Sequence, residues 1–419
     1  MAKGLKAVAW GSAVVVVALC LSACSQKKSP NASAVTRSTA SAGLTSPAPD
    51  PTPAAGPAVL TISAATGSVN INPVQPIKVA VAGGSIASVT LTNATGTVVK
   101  GALAADKTSW SSAEVLGYGK SYTVKATATN TNGEQTTASS SFTTVVPRLQ
   151  TMPYIQTAAG GAITPGVTFG VGQVVRIHFD EPVPDRKAAQ AAITVSTVPA
   201  QVGGFSWLSD TDVYWRTASY LKSGTKVSVV AKVYGKNLGN SLYGQADAST
   251  WFKVGAKHIS IADDNTKEVS VYSNDKLVRT MPTSMGRHVS IPGDTGPIDL
   301  RTNSGPHVVV GGEKNINMNS ASFGLSKGAN AYKTIVPIGV RISYDGEYVH
   351  WADWSVWAQG NTDTSHGCLN VSPADSYWFY DFSLPGDIVD VKNTGRNLEE
   401  WNSGYWNVSW AKWLASSAK

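Results

Sequence analysis

The stretch TSHGCLN spans residues 364–370 and sets Cys368 two residues after His366 and beside Gly367. The chain carries only three cysteines in 419 residues, so one in this setting asks for a reason. A cysteine nucleophile needs a base or cation beside its sulfur and donors for the oxyanion that forms on the substrate. The segment 350–370 holds candidates for each. His350 ends the strand-like run YDGEYVH. Gly367 lets the backbone approach a substrate closely and turn N–H groups inward. One imidazole can take the thiol proton and later return it to a leaving amine.

Three other readings compete. Cys368 could be an inert buried thiol, as many free cysteines are. Two of the chain's six histidines lie within eighteen residues upstream, which argues against that. His350, His366 and Cys368 could ligate zinc, but His-x-Cys is a tight chelate and no fourth ligand is obvious. A papain-like site has cysteine before histidine, whereas here both histidines come first. No metal and no cofactor is therefore expected.

The other two cysteines lie at the N-terminus, MAKGLKAVAWGSAVVVVALCLSACSQKK. Lys3 and Lys6 form a positive start, and Ala7 to Leu21 an apolar core too short for a comfortable span but suited to export. LSAC at 21–24 resembles a bacterial lipobox, so residues 1–23 read as a lipoprotein signal and Cys24 as the lipidated residue. Cys20 then leaves with the signal, and Cys368 remains as a lone thiol that cannot form an internal disulfide. Loss of Lys3 and Lys6 takes the net charge from +7 to +5, which suits an anionic envelope. No Lys/Arg cluster supports nucleic-acid binding. The expected location is the cell envelope, lipid-anchored on the outer face of the cytoplasmic membrane and facing the wall.

Residues 24–57 are dominated by Ser, Ala, Pro and Thr and read as a disordered tether. From 58 to 147 come short alternating strands, including PIKVAVAG, SYTVKATATN and SSFTTVV, with a hairpin signal at Asn132-Gly133. LGYGKSYTV at 116–124 resembles the immunoglobulin-like corner locked by a tyrosine, here Tyr122. Residues 148–254 repeat the theme, with Val227 where the tyrosine would stand. His178 lies in an alternating strand and reads as structural. Residues 255–392 change texture. Tight hairpins turn at 263–265 and 273–275, a less regular stretch runs 313–335, and PADSYWFYDF at 373–382 is a helix candidate. The tail, 393–419, carries Trp401, Trp406, Trp410 and Trp413. The last three are spaced as on one helix face and suggest a short helix docked on the preceding domain, with carbohydrate stacking as the alternative. The fold class expected is mainly β: two tandem immunoglobulin-like sandwiches, a β-rich catalytic domain and a short helical tail.

His350 followed by SHGCLN at 365–370 resembles the signature of the L,D-transpeptidases, whose catalytic domain is called YkuD-type. The likeness continues into VSPADSYWFYD and back to TMPTSMG. The plan of lipobox, tether, two sandwiches, catalytic domain and Trp-rich tail is similar to the actinobacterial, mycobacterial-type members. That resemblance implies an enzyme of peptidoglycan biosynthesis, and so of cell wall biogenesis and cell shape. Cys368 would attack the diamino-acid carbonyl of a donor tetrapeptide stem, expel D-Ala and pass the acyl group to an acceptor stem as a 3→3 cross-link. It also implies a thiol that carbapenems acylate. By position, His350 is the base, oriented by a carbonyl such as that of Trp351. His366 shapes the site, and Gly367 and Cys368 supply oxyanion N–H groups. Ser365 and Asn370 hold the turn, and Tyr332, Met318 and Trp354 line the donor pocket or its lid. Trp351 and Trp357 make 350–357 more aromatic than the resemblance leads one to expect, which could narrow the acceptor route.

Three alternatives stand beside this. An L,D-carboxypeptidase would differ only in letting water take the thioester. A non-catalytic wall-binding lipoprotein would not need His350, His366, Gly367 and Cys368 all intact. A sortase-like enzyme would need an arginine after the cysteine, where only Arg396 lies.

Overall fold

The computed structural model describes residues 56–400 and 402–418. The signal, Cys24, nearly all of the tether and Trp401 lie outside the described residues.

The first sandwich follows from period-two alternation. Ser121–Asn130 buries Tyr122, Val124, Ala126 and Ala128 on one face and pairs with Gly84–Asn93 and Gln135–Thr143. Ile77, Val79 and Trp110 come from the facing sheet to close the core. The Gly117 N–H donates to the Tyr122 hydroxyl over 2.9 Å, which makes the corner. The same loop forms the joint to the second sandwich. The Tyr118 hydroxyl accepts from the Gly235 N–H (2.7 Å) and donates to the Gly244 carbonyl (2.9 Å), while the Tyr234 hydroxyl donates to the Leu116 carbonyl (2.6 Å).

In the second sandwich, Val175–Phe179 and Asp212–Thr217 face Lys226–Ala231 and Ala248–Val254 across a core that includes Ile177, Phe179, Trp215, Val229 and Phe252. A short helix, Arg186–Ala191, is an addition to the sequence reading, and the Asp185 carboxylate caps it through the Ala188 N–H. His178 bonds the Asp212 carboxylate at 2.8 Å, in a pair that Arg176 also joins.

Residues 255–392 hold a five-stranded and a four-stranded sheet around one core, and a separate two-stranded sheet formed by Ser290–Pro292 and Pro297–Asp299. The first runs in the order Lys276–Pro282, Glu268–Ser273, His258–Asp263, Ile388–Lys392, Gly305–Val308. The second runs Gly311–Asn319, Lys333–Arg341, Tyr348–Trp351, Leu369–Val371. Val271, Val340, Val349, Leu369 and Val389 pack between them, with Phe379 from the helix Pro373–Phe382. Ser372 caps that helix and Pro373 starts it.

Two expectations need correction. The stretch 313–335, expected to be less regular, begins and ends in strands, Gly311–Asn319 and Lys333–Arg341, which pair with each other, and only the connection 320–332, opened by a short helical turn at Ser320–Phe323, is irregular. The asparagines of Gly311–Asn319 and its single buried apolar residue, Ile316, hide that strand, and it exists because the neighbour supplies pairing. The tail helix, Trp410–Ala415, packs mainly on Gly203–Trp207 of the second sandwich, while its Trp413 shares an apolar cluster with Val308 and Ile388 of the domain just before it. The cause is Arg216, which is 2 % exposed. Its guanidinium lies 4.7 Å from the ring centres of Trp406 and Trp413 and 5.3 Å from that of Trp410, and donates to the Val408 carbonyl. Three indole faces replace the carboxylate that a buried cation ordinarily needs. Trp406 and Trp413 close the dock by donating to the Gly172 and Gly204 carbonyls, each over 2.9 Å.

Candidate active site

Parallel pairing of Tyr348–Trp351 with Leu369–Val371 sets His350 opposite Asn370 and delivers Cys368 at the strand's entry. Antiparallel pairing on the other side sets His350 opposite Gly339. A Cβ at Gly339 would lie 2.8 Å from the His350 Cβ, so glycine there is what lets the histidine sit where it does. The sequence reading did not single out Gly339, because its requirement appears only in the pairing.

His350 is buried, and its Nδ1 lies 2.7 Å from the Trp351 carbonyl oxygen. A carbonyl only accepts, so Nδ1 carries the hydrogen and Nε2 keeps its lone pair. Burial holds the imidazole pKa down to about 4. Burial likewise pushes the Cys368 thiol up to about 12, against a lowering hydrogen bond from the Tyr348 backbone, and Glu347 and Asp345 push the same way as burial. At rest the two groups are therefore a neutral imidazole and a neutral thiol. The Cys368 sulfur lies 3.6 Å from the Gly346 carbonyl oxygen.

The turn before Cys368 is stapled by Ser365. Its hydroxyl donates to the Cys368 carbonyl (2.6 Å) and accepts from the Gly367 N–H (3.1 Å). The expected pair of oxyanion donors is thereby reduced. Gly367 already uses its N–H, while that of Cys368 has no hydrogen-bond partner among the described residues. Gly367 has φ +132°, a left-handed conformation that explains the glycine; space does not, since a Cβ there would meet nothing nearer than 3.9 Å.

His366 is held in a different way. Arg287 donates to its Nε2 over 3.0 Å, so that nitrogen is occupied. Burial and the Arg287 charge keep this ring's pKa below the ordinary imidazole value. Nε2 of His366 is thus occupied, whereas Nε2 of His350 has no hydrogen-bond partner among the described residues. Arg287 follows TMPTSMG directly but lies 79 residues from His366, and nothing in the local sequence links them.

Cys368 borders three cavities. The first, about 320 Å³, is lined by Met318, Tyr332, His350, Trp354, His366 and Asn370 among others, without a carboxylate, lysine or arginine. The second, about 380 Å³, adds Asp299, Asp345, Glu347 and Arg396. The third, about 360 Å³, runs along Met318, Phe323, Tyr332 and Tyr348. Tyr332 touches all three and stands 5.0 Å, ring to ring, from His366. The Asn370 side chain donates to the Ser355 hydroxyl (3.1 Å) and so supports the turn that carries Trp354. Trp351 does not line these cavities. Its carbonyl holds His350 and its ring packs edge-on against Trp354, 5.6 Å away.

Behind the site, Asp264, His288 and Asp363 converge. The Lys267 ammonium bonds both carboxylates, so the position a cation would take is filled by the chain itself. Asp363 also accepts from the Met285 N–H at 3.0 Å, which anchors the segment leading into Thr364.

Residues 257–391 match the family model for the L,D-transpeptidase catalytic domain, and residues 68–237 that for a bacterial Ig domain. The chain is 41% identical over 363 residues to L,D-transpeptidase 2 of Mycobacterium tuberculosis (strain CDC 1551 / Oshkosh), covering 86% of this chain and 85% of that protein. It is 32% identical over 368 residues to L,D-transpeptidase 5 of M. tuberculosis (strain ATCC 25618 / H37Rv), covering 86% and 77%. A solved structure of the LD transpeptidase LdtMt1 in complex with imipenem aligns with 57% of this chain and 99% of its own, at 28% identity and a TM-score of 0.47.

Proposed function

Since the chain belongs to the L,D-transpeptidase family, we propose that it forms 3→3 peptidoglycan cross-links through a thioester on Cys368. One observation carries the reading: a thiol open to three cavities shares the first of them with an imidazole whose Nε2 is free to accept a proton.

Nε2 of His350 takes the thiol proton as sulfur attacks the diamino-acid carbonyl of the donor tetrapeptide. The oxyanion faces the unpartnered N–H of Cys368. On collapse the C–N bond to D-Ala breaks, and His350 returns the proton to the leaving amine. The acceptor's side-chain amine then attacks the thioester. A C–N bond forms, the C–S bond breaks, and the amine's proton passes through His350 to the sulfur. Because both pKa values are displaced toward the neutral forms, the proton moves during attack and not beforehand. Lipid on Cys24 would hold the enzyme on the outer face of the cytoplasmic membrane, facing its substrate.

The test is incubation with a disaccharide-tetrapeptide, read by mass spectrometry. A dimer lacking one D-Ala is the expected product. A tripeptide alone would make the chain an L,D-carboxypeptidase, and either activity surviving in Cys368→Ala would overturn the mechanism.

A further inference from the structure

The C-terminal tryptophans that the sequence offered for sugar stacking are taken up by the Arg216 clamp, but a second group of aromatic residues is open. Trp357 is 71% exposed and Trp354 50%, with exposed Val356 between them. Their backbone is firmly held. The Ala358 N–H donates to the Ser355 carbonyl (2.9 Å), the Gln359 amide to the Ala352 carbonyl (3.0 Å), and the Gly360 N–H to the Thr283 carbonyl (3.0 Å). Large indole faces displayed to water on a fixed turn are unfavourable for the chain alone and mark a contact surface. Exposed Asp353, Asn361 and Thr362 lie on the same short segment. Aromatic faces beside carboxylate, amide and hydroxyl groups suit a pyranose, whose polarised C–H face meets the negative face of an indole while its hydroxyl and acetamido groups find polar partners.

The patch is continuous with the site, since Trp354 lines the first cavity and its ring stands 6.1 Å from that of His350. An amine that attacks the thioester must give its proton to His350, so it enters on that side, and its stem leads back to a sugar beyond the rim. We propose that Trp357, with Trp354, is a stacking platform for the N-acetylated amino-sugar backbone of the acceptor strand, an inference that rests on the cross-linking reading above.

The experiment uses the full chain, a sugar-free tetrapeptide donor, and acceptor stems with or without their disaccharide. Trp357→Ala is expected to lower dimer formation with the glycosylated acceptor about threefold to tenfold. D-Ala release and the dimer with the bare acceptor stay unchanged, and Trp357→Phe keeps most of the preference. Equal loss on both acceptors, slower D-Ala release, or no loss would overturn the platform. If the wild type forms no dimer with either acceptor, the cross-linking reading falls instead. The platform is then decided by saturation-transfer NMR with an N-acetylglucosamine tetramer. Transfer seen in the wild type and lost in Trp357→Ala supports it, and transfer absent from both, or equal in both, sinks it.

Discussion

The ring of His350 donates its Nδ1 hydrogen to the carbonyl of the residue that follows it, Trp351, across 2.7 Å. A side chain at Trp351 can change without removing that acceptor, because the bond is to backbone. Orientation of the imidazole is thus built into the strand.

Burial predicts the acid limb of the pH profile. With the His350 pKa lowered to about 4 from 6.5, kcat/KM should stay up through pH 5 and fall only near pH 4. Stability moves in the same sense. Between those two values the unfolded chain binds the extra proton, so stability is intact above about pH 6.5 and declines as pH falls toward 4. Urea titrations at pH 7 and 4.5 would show it. An acid limb near 6.5 would mean that the imidazole is not buried in the working enzyme.

A thiol pushed up to about 12 should be sluggish toward reagents that bring no base of their own. At pH 7, Cys368 should react with iodoacetamide more than about tenfold slower than a free cysteine. If His350 takes the thiol proton as proposed, a carbapenem should nevertheless acylate it. His350→Ala should abolish carbapenem acylation, measured by intact mass, while leaving the slow alkylation rate nearly unchanged. Fast alkylation at neutral pH would instead indicate a preformed thiolate.

Gly339→Ala places a methyl 2.8 Å from the His350 Cβ, with Val349 backbone and Ile316 also close. The strand must shift by some tenths of an ångström, changing the position of the imidazole relative to the sulfur. We expect kcat to fall at least about tenfold, with KM less affected and a stability loss of roughly 1–3 kcal/mol. A variant as active as the wild type would show that the site tolerates a displaced base.

Arg216→Ala removes the cation from under three indoles and leaves a hole in their place. The expected loss is roughly 2–4 kcal/mol, seen as a lower thermal midpoint. Tryptophan emission should shift to the red and the C-terminal segment become open to limited proteolysis. Unchanged proteolysis would mean that the hydrogen bonds of Trp406 and Trp413 hold the tail without the cation.

How much of this was legible beforehand depends on the range of the interactions. The sandwich strand Ser121–Asn130 and the helix Pro373–Phe382 announce themselves through alternation, a serine cap and a leading proline, all local signals. Grouping of His350 with Cys368 was legible because both lie on one short segment. Arg287 on His366, Gly339 under His350 and Arg216 under the tail were not, since each depends on partners 79, 11 and roughly 190 residues away that only the sheets bring together. Strand Gly311–Asn319 was hidden for a related reason: Pro337 of its partner offers no N–H, and Asn315 opposite turns to φ +52°. The use of the Gly367 N–H by Ser365 was likewise hidden, because a motif names residues and not the direction of their hydrogen bonds.

One segment joins features described separately above. The Asn402 side-chain oxygen accepts from the N–H groups of Tyr344 (2.6 Å) and Asp345 (2.9 Å), and the Ser403 hydroxyl donates to the Ile342 carbonyl (2.7 Å). Gly346, whose carbonyl meets the Cys368 sulfur, is the next residue along. A premature stop codon ahead of Asn402 would therefore spare every residue of the catalytic motif and still unseat the loop beside the nucleophile. Genetic screens that score only the motif would record such an allele as intact, and an inhibitor wedged between tail and sandwich would act on the enzyme without entering any of the three cavities that Cys368 borders.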